Sequence, residues 1–96
     1  MNQFSDLLQK AAAEVRNYCA MSPDSKQFEV AWLLALAQQM EVASALESDA
    51  EVERKIDALH YSIIDSGPLA LTERFAPSFD RAVDALQRRR KRERRN

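Results

Sequence analysis

One glycine, one cysteine and one histidine are all that the 96 residues contain of those types, alongside three prolines. Each scarcity excludes something. A phosphate-cradling loop needs several glycines, and Gly67 stands alone. Cys19 has no second cysteine to join, so no internal disulfide forms and nothing points to an oxidising compartment. A nucleophilic cysteine needs a base, and His60 is the one imidazole, with nothing local to bring the two together. Ser, Asp and His all occur, yet no strand-turn-helix pattern supports a hydrolase triad. The longest unbroken apolar run, Val30 to Ala37, is eight residues, whereas a membrane-spanning helix needs about 20. The N-terminus has no basic region followed by an apolar stretch, so no signal peptide is expected and a cytoplasmic location is the default. The expectation from these absences is a protein without catalytic activity, cofactor, metal or membrane partner.

What is abundant favours helix. Ala, Leu, Glu, Gln and Arg dominate, and β-branched residues are few. The first helix is expected from about Asn2 to Ala20, with an apolar stripe of Phe4, Leu8, Val15 and Tyr18 flanked by Leu7, Ala11 and Ala12. A break follows at Met21-Ser22-Pro23-Asp24, where Ser22 is suited to cap a helix and Pro23 to begin one. The second helix carries Phe28, Trp32, Leu33, Leu36, Met40, Ala43 and Leu46. Its continuous apolar run predicts a central element buried on several sides. Ser48 and Glu51 match a capping box, which predicts a tight elbow and a new helix rather than one long helix from Pro23 to Asp65. That third helix bears Val52, Ile56, Leu59 and Ile63 on one stripe, pairs Glu51 with Lys55 on its wet side, and ends at Ser66-Gly67-Pro68. A short turn over Leu69 to Phe75 then leads to a last helix starting near Pro77, with Phe79, Val83 and Leu86 inward and an Asp84–Arg88 pair outward.

The fold class expected is therefore all-α: a small antiparallel four-helix bundle, or three long helices plus a short one, with a basic C-terminal helical tail. A homodimer that completes the core is also compatible with such narrow apolar faces.

Charge divides the chain into two regions, an acidic bundle over 1–86 and an arginine-rich tail over 87–96. The first carries seven Lys/Arg against fourteen Asp/Glu, a formal −7; the second carries seven against one, or +6. Arg88, Arg89, Arg90, Lys91, Arg92, Arg94 and Arg95 have no apolar residue among them, so the helix is expected to fray beyond Leu86. The plainest role for such a tail is a solvated terminus. The sharper one is contact with nucleic-acid phosphates, since arginine forks onto phosphate and each neutralised phosphate releases counterions. An acidic patch on a partner protein is a further destination. Without Trp, Phe or Leu the tail has no lipid anchor.

Two further clusters carry chemistry. Glu53, Asp57 and His60 share a helix face at metal-ligand spacing, but the pair does not recur elsewhere and a solvated polar flank is the better reading. Leu71, Phe75 and Phe79 lie in a proline-flanked stretch that cannot be one regular helix. They are the expected partner-binding residues if exposed, and a lid over the bundle if not. The function expected is a non-enzymatic interaction protein, an adaptor, inhibitor or regulatory subunit that binds a protein partner. The alternative is a nucleic-acid-associated protein that grips phosphates with its tail.

Overall fold

A computed structural model describes residues 3–21, 27–65 and 74–94, with the backbone alone at 27 and 28. Four helices account for nearly all of them, and no strand occurs among the described residues: α1 (Ser5–Met21), α2 (Gln27–Ser44), α3 (Asp49–Asp65) and α4 (Pro77–Arg94). The expected break at 22–24 and the helix end at 66–68 lie outside the described residues.

Each helix packs on its neighbours in sequence, and α4 closes back against α1. Neighbours run antiparallel. Glu14, late in α1, meets Ser78 at the start of α4, while Arg89, late in α4, meets Phe4 just before α1 and Glu53 early in α3. The result is a ring of four helices around one core, the geometry that short connections favour.

That core follows the helical periodicity closely. Leu8, Ala11, Ala12 and Val15 of α1, Leu33, Leu36, Ala37, Met40 and Ala43 of α2, Val52, Ile56, Leu59 and Ile63 of α3, and Phe79, Ala82, Val83 and Leu86 of α4 are all buried together. The elbow between α2 and α3 falls where the sequence predicts, and Ser48 caps α3. The Glu51 amide donates to Ser48 Oγ at 3.4 Å, and the Val52 amide to the Ser48 carbonyl at 3.1 Å. The single-helix alternative is thereby removed.

Three expectations are corrected. α2 is not buried on several sides: Leu34, Val42, Ala31 and Ala35 are exposed. In a ring of four, each helix touches two neighbours and keeps an outer face, and alanines tolerate water there at little cost. Lys55 does not pair with Glu51; its ammonium donates to Gln39 Oε1 of α2 at 3.1 Å. Finally, α4 does not fray beyond Leu86 but continues as one helix to Arg94, across the expected boundary between bundle and tail.

Candidate functional site

The reason α4 continues lies in its own periodicity. Phe79, Val83 and Leu86 face inward, and three or four residues further on the same stripe reaches Arg89 and Arg90. Both arginines therefore arrive beside α3, whose Glu53 and Asp57 sit one turn apart and face them. Arg90 grips Asp57 with two parallel hydrogen bonds, Nη1 to Oδ1 at 3.0 Å and Nη2 to Oδ2 at 2.8 Å. Its pKa is raised above the ordinary arginine value, chiefly by that hydrogen bond. Arg89 Nη2 donates to Glu53 Oε1, its guanidinium lies 5.8 Å from the centre of the Phe4 ring, and its Nε is 3.4 Å from Glu93 Oε1. One arginine thus ties together the approach to α1, α3 and its own helix.

The expected set of seven phosphate-facing cations is therefore divided. Arg89 and Arg90 are engaged by carboxylates of their own fold. Arg88 pairs with Asp84 at 3.0 Å, one turn back, on an open surface that leaves its side chain 77% exposed. Lys91, Arg92 and Arg94 are exposed and make no ion pair with any described residue. Arg95 lies outside the described residues.

The opposite side of α4 assembles a site that the sequence reading did not. Arg81, Asp84, Ala85, Arg88, Lys91 and Arg92 recur at helical spacing on the outer face. With Gln3 and the edge of Arg89 they line an open cleft of about 720 Å³. Five cations and one carboxylate surround it. From Arg81 to Arg92 the stripe runs about 16 Å along the helix. The spacing of Arg81 and Arg88, two turns apart and outside the apolar stripe, is the signal that would have extended the tail's charge back into the bundle.

The expected partner-binding residues are placed elsewhere. Phe75 and Phe79 are buried. Phe75 fills the gap between Tyr18 of α1 and Trp32 of α2, with ring centres 6.1 and 6.4 Å away and the Trp32 contact edge-on. Neither ring presents an apolar patch to a partner. Leu71 lies outside the described residues. Glu53 and Asp57, weighed as metal ligands with His60, face α4 instead, and no group of three His, Cys, Asp or Glu suited to a metal occurs among the described residues.

A part-buried contact fixes where α4 begins. Ala76 precedes the helix and has no side chain to cap it. Glu14 of α1 supplies the missing oxygens: the Ser78 amide donates to Oε1 at 2.9 Å and the Ser78 hydroxyl to Oε2 at 2.8 Å. The negative carboxylate also suits the positive end of the helix dipole. On the far side of α1, Arg16 Nε donates to Glu41 Oε1 of α2 at 2.9 Å. Cys19 is half-buried, and burial raises its thiol pKa while the Arg16 cation works in the opposite direction.

No helix among the described residues is long and apolar enough to cross a membrane. No protein-family model, no curated protein and no solved structure matches the chain.

Proposed function

We propose that the chain is a non-enzymatic interaction protein, an adaptor, inhibitor or regulatory subunit, that engages an acidic segment of a protein partner through the outer face of α4. The observation that carries this reading is the stripe of Arg81, Arg88, Lys91 and Arg92 on a helix held in place from behind by Arg89 and Arg90. Arginines on a fixed helix lose less freedom on binding than arginines on a loose strand. They meet carboxylates with paired hydrogen bonds. Asp84 and Gln3 make the lining mixed rather than purely cationic, which suits a protein surface better than a row of phosphates. The acidic remainder of the bundle repels an extended polyanion that outgrows the stripe.

A second reading has its own observation. Lys91, Arg92 and Arg94 hold no carboxylate of the described fold and stand together at the end of α4. Three or four such cations on phosphates would make nucleic-acid affinity fall roughly 40- to 150-fold between about 50 and 200 mM salt.

The experiment compares the native protein with a triple charge reversal, Arg81→Glu, Arg88→Glu and Arg92→Glu, all at exposed positions. Stoichiometric capture of a partner from the native cell, lost in the variant, is the expected result, with no binding to generic 20-mer duplex DNA or RNA. Steeply salt-dependent binding to either duplex, lost in the variant, moves the assignment to the second reading. Partner capture that survives the triple reversal refutes the first reading, and duplex binding that survives it refutes the second.

A further inference from the structure

The charges on the outer face of α4 have an order. Arg81 is followed by Asp84, then by Arg88, Lys91 and Arg92. Asp84 is the single carboxylate among the described residues that line the cleft. It holds Arg88 at 3.0 Å, and the two side chains are 58% and 77% exposed, so both stay within reach of an occupant. A surface pair of this kind adds little to stability. Its larger effect falls on whatever lies over the stripe. Along the helix axis Asp84 stands about 4.5 Å from Arg81, about 6 Å from Arg88 and about 12 Å from Arg92. Screening at about 0.15 M salt sets a reach of about 8 Å. The charge of Asp84 therefore acts on an occupant over Arg81 and Arg88, and hardly on one over Arg92.

We infer that Asp84 sets the specificity of the cleft. Its occupant is a protein segment in which a Lys or Arg interrupts a run of carboxylates, the cation over Asp84 and the carboxylates over Arg81, Arg88 and Arg92. This rests on the reading of the face as a site for an acidic protein segment. Nucleic acid and polypeptide differ here in one respect. Each strand of a duplex carries a phosphate every roughly 3.4 Å of axis and cannot omit one. Laid along the stripe, it sets at least one phosphate within reach of Asp84, and it must displace that carboxylate to use Arg88. A polypeptide changes sign from one residue to the next. With a cation over Asp84, attraction runs the whole length of the stripe. One carboxylate inside a cationic row thus turns away a uniform polyanion, which is specificity through a repulsive contact.

Fluorescence anisotropy with the full chain tests this at about 50 and about 200 mM salt. Three probes are used: a short Glu/Ser peptide with one central Lys, the same peptide with Glu in place of that Lys, and a generic DNA duplex. The native protein should bind the Lys peptide about threefold or more tighter than the Glu peptide, although the Glu peptide is the more negative. Asp84→Asn, at an exposed position, should invert that order. It should also raise duplex affinity about tenfold at the lower salt and steepen the salt dependence by about one phosphate contact. Asp84→Glu should keep the native order. Native affinity that simply follows the negative charge of the probe overturns the inference. So does an Asp84→Asn variant with unchanged peptide order and duplex affinity, and so does a native protein that binds neither peptide. Peptide binding that ignores the central residue, yet is lost on Arg81→Glu, Arg88→Glu and Arg92→Glu together, sinks the inference and leaves the acidic-segment reading standing. Peptide binding that survives this triple reversal sinks both.

Discussion

From Pro77 to Leu86, α4 is held by buried Phe79, Ala82, Val83 and Leu86 and by the Glu14 carboxylate at its first turn. From Gln87 to Arg94 the same helix buries no apolar side chain and is held by Arg89 and Arg90 on α3. The two halves share a backbone but not a cause. Apolar burial is insensitive to modest salt and is cooperative with the rest of the core. Ion pairs at a partly exposed edge are each small in effect and weaken as salt screens them. The first half therefore unfolds with the bundle. The second is able to open by itself, which is the expected behaviour of a region with few buried contacts.

The comparison is broken most severely from the apolar side. Phe79→Ala removes a fully buried ring from the middle of the core. About 3–5 kcal/mol of stability should be lost. A domain of this size holds only about 5–10 kcal/mol in all, so chemical denaturation should show an early midpoint in a single transition that includes both halves. Next in size is Glu14→Ala. It takes away the cap of α4 and leaves the buried Ser78 hydroxyl without its acceptor, at a cost of about 1–3 kcal/mol. Glu14→Gln, which keeps one oxygen, should recover part of the loss. If Glu14→Ala proved neutral in denaturation, the cap would not be what anchors the first half.

The charged side should give less. Glu53→Gln leaves Arg89, 27% exposed, with only its longer contact to the exposed Glu93. The expected loss is about 1 kcal/mol, between the values for surface and buried pairs. Asp57→Asn, at a more exposed pair, should cost about 0.5 kcal/mol or less. Neither need shift the global transition much. Both should speed amide exchange over residues 88–94 while leaving 77–86 unchanged, and about 1 M salt should do the same to the native protein. Equal acceleration of both halves would mean that α4 opens as one unit and that the division is not real.

These two halves were not equally legible in the sequence. The apolar stripes of all four helices follow from spacing within each helix, and the Ser48–Glu51 cap from residues three apart. Such signals are local. Glu14 and Ser78 are 64 residues apart, and Glu53 and Arg89 are 36 apart. No local pattern joins them, because their meeting depends on which helix closes the ring. Part of the answer was nonetheless available. Arg89 and Arg90 continue the inward stripe of Phe79, Val83 and Leu86, so two of the tail's arginines were bound to point at the bundle. Composition alone made the tail look uniformly free. The α2 run misled for the converse reason: eight consecutive apolar residues say that burial is affordable on every side, not that four neighbours exist to provide it.

Cys19 offers the finest test, because it lies at the apolar end, beside Tyr18, and packs against the core. Its thiol pKa is raised by burial, so at pH 8 the folded protein should hold less thiolate than a free cysteine and react more slowly with iodoacetamide. The rate should climb with pH to an inflection above the ordinary value of 9.0. The linkage has a definite sign: a thiol that holds its proton more tightly when folded adds stability below its unfolded pKa, and that contribution fades as pH rises through the folded one. Arg16→Ala should move the inflection higher still, since the Arg16 cation opposes the shift. The same reaction then separates the halves of α4 by distance. Glu14→Ala loosens the end where Cys19 lies and should quicken its alkylation. Glu53→Gln loosens only the far end and should leave the alkylation rate as it was; any matching rise there would show that the ion pairs and the apolar core open together.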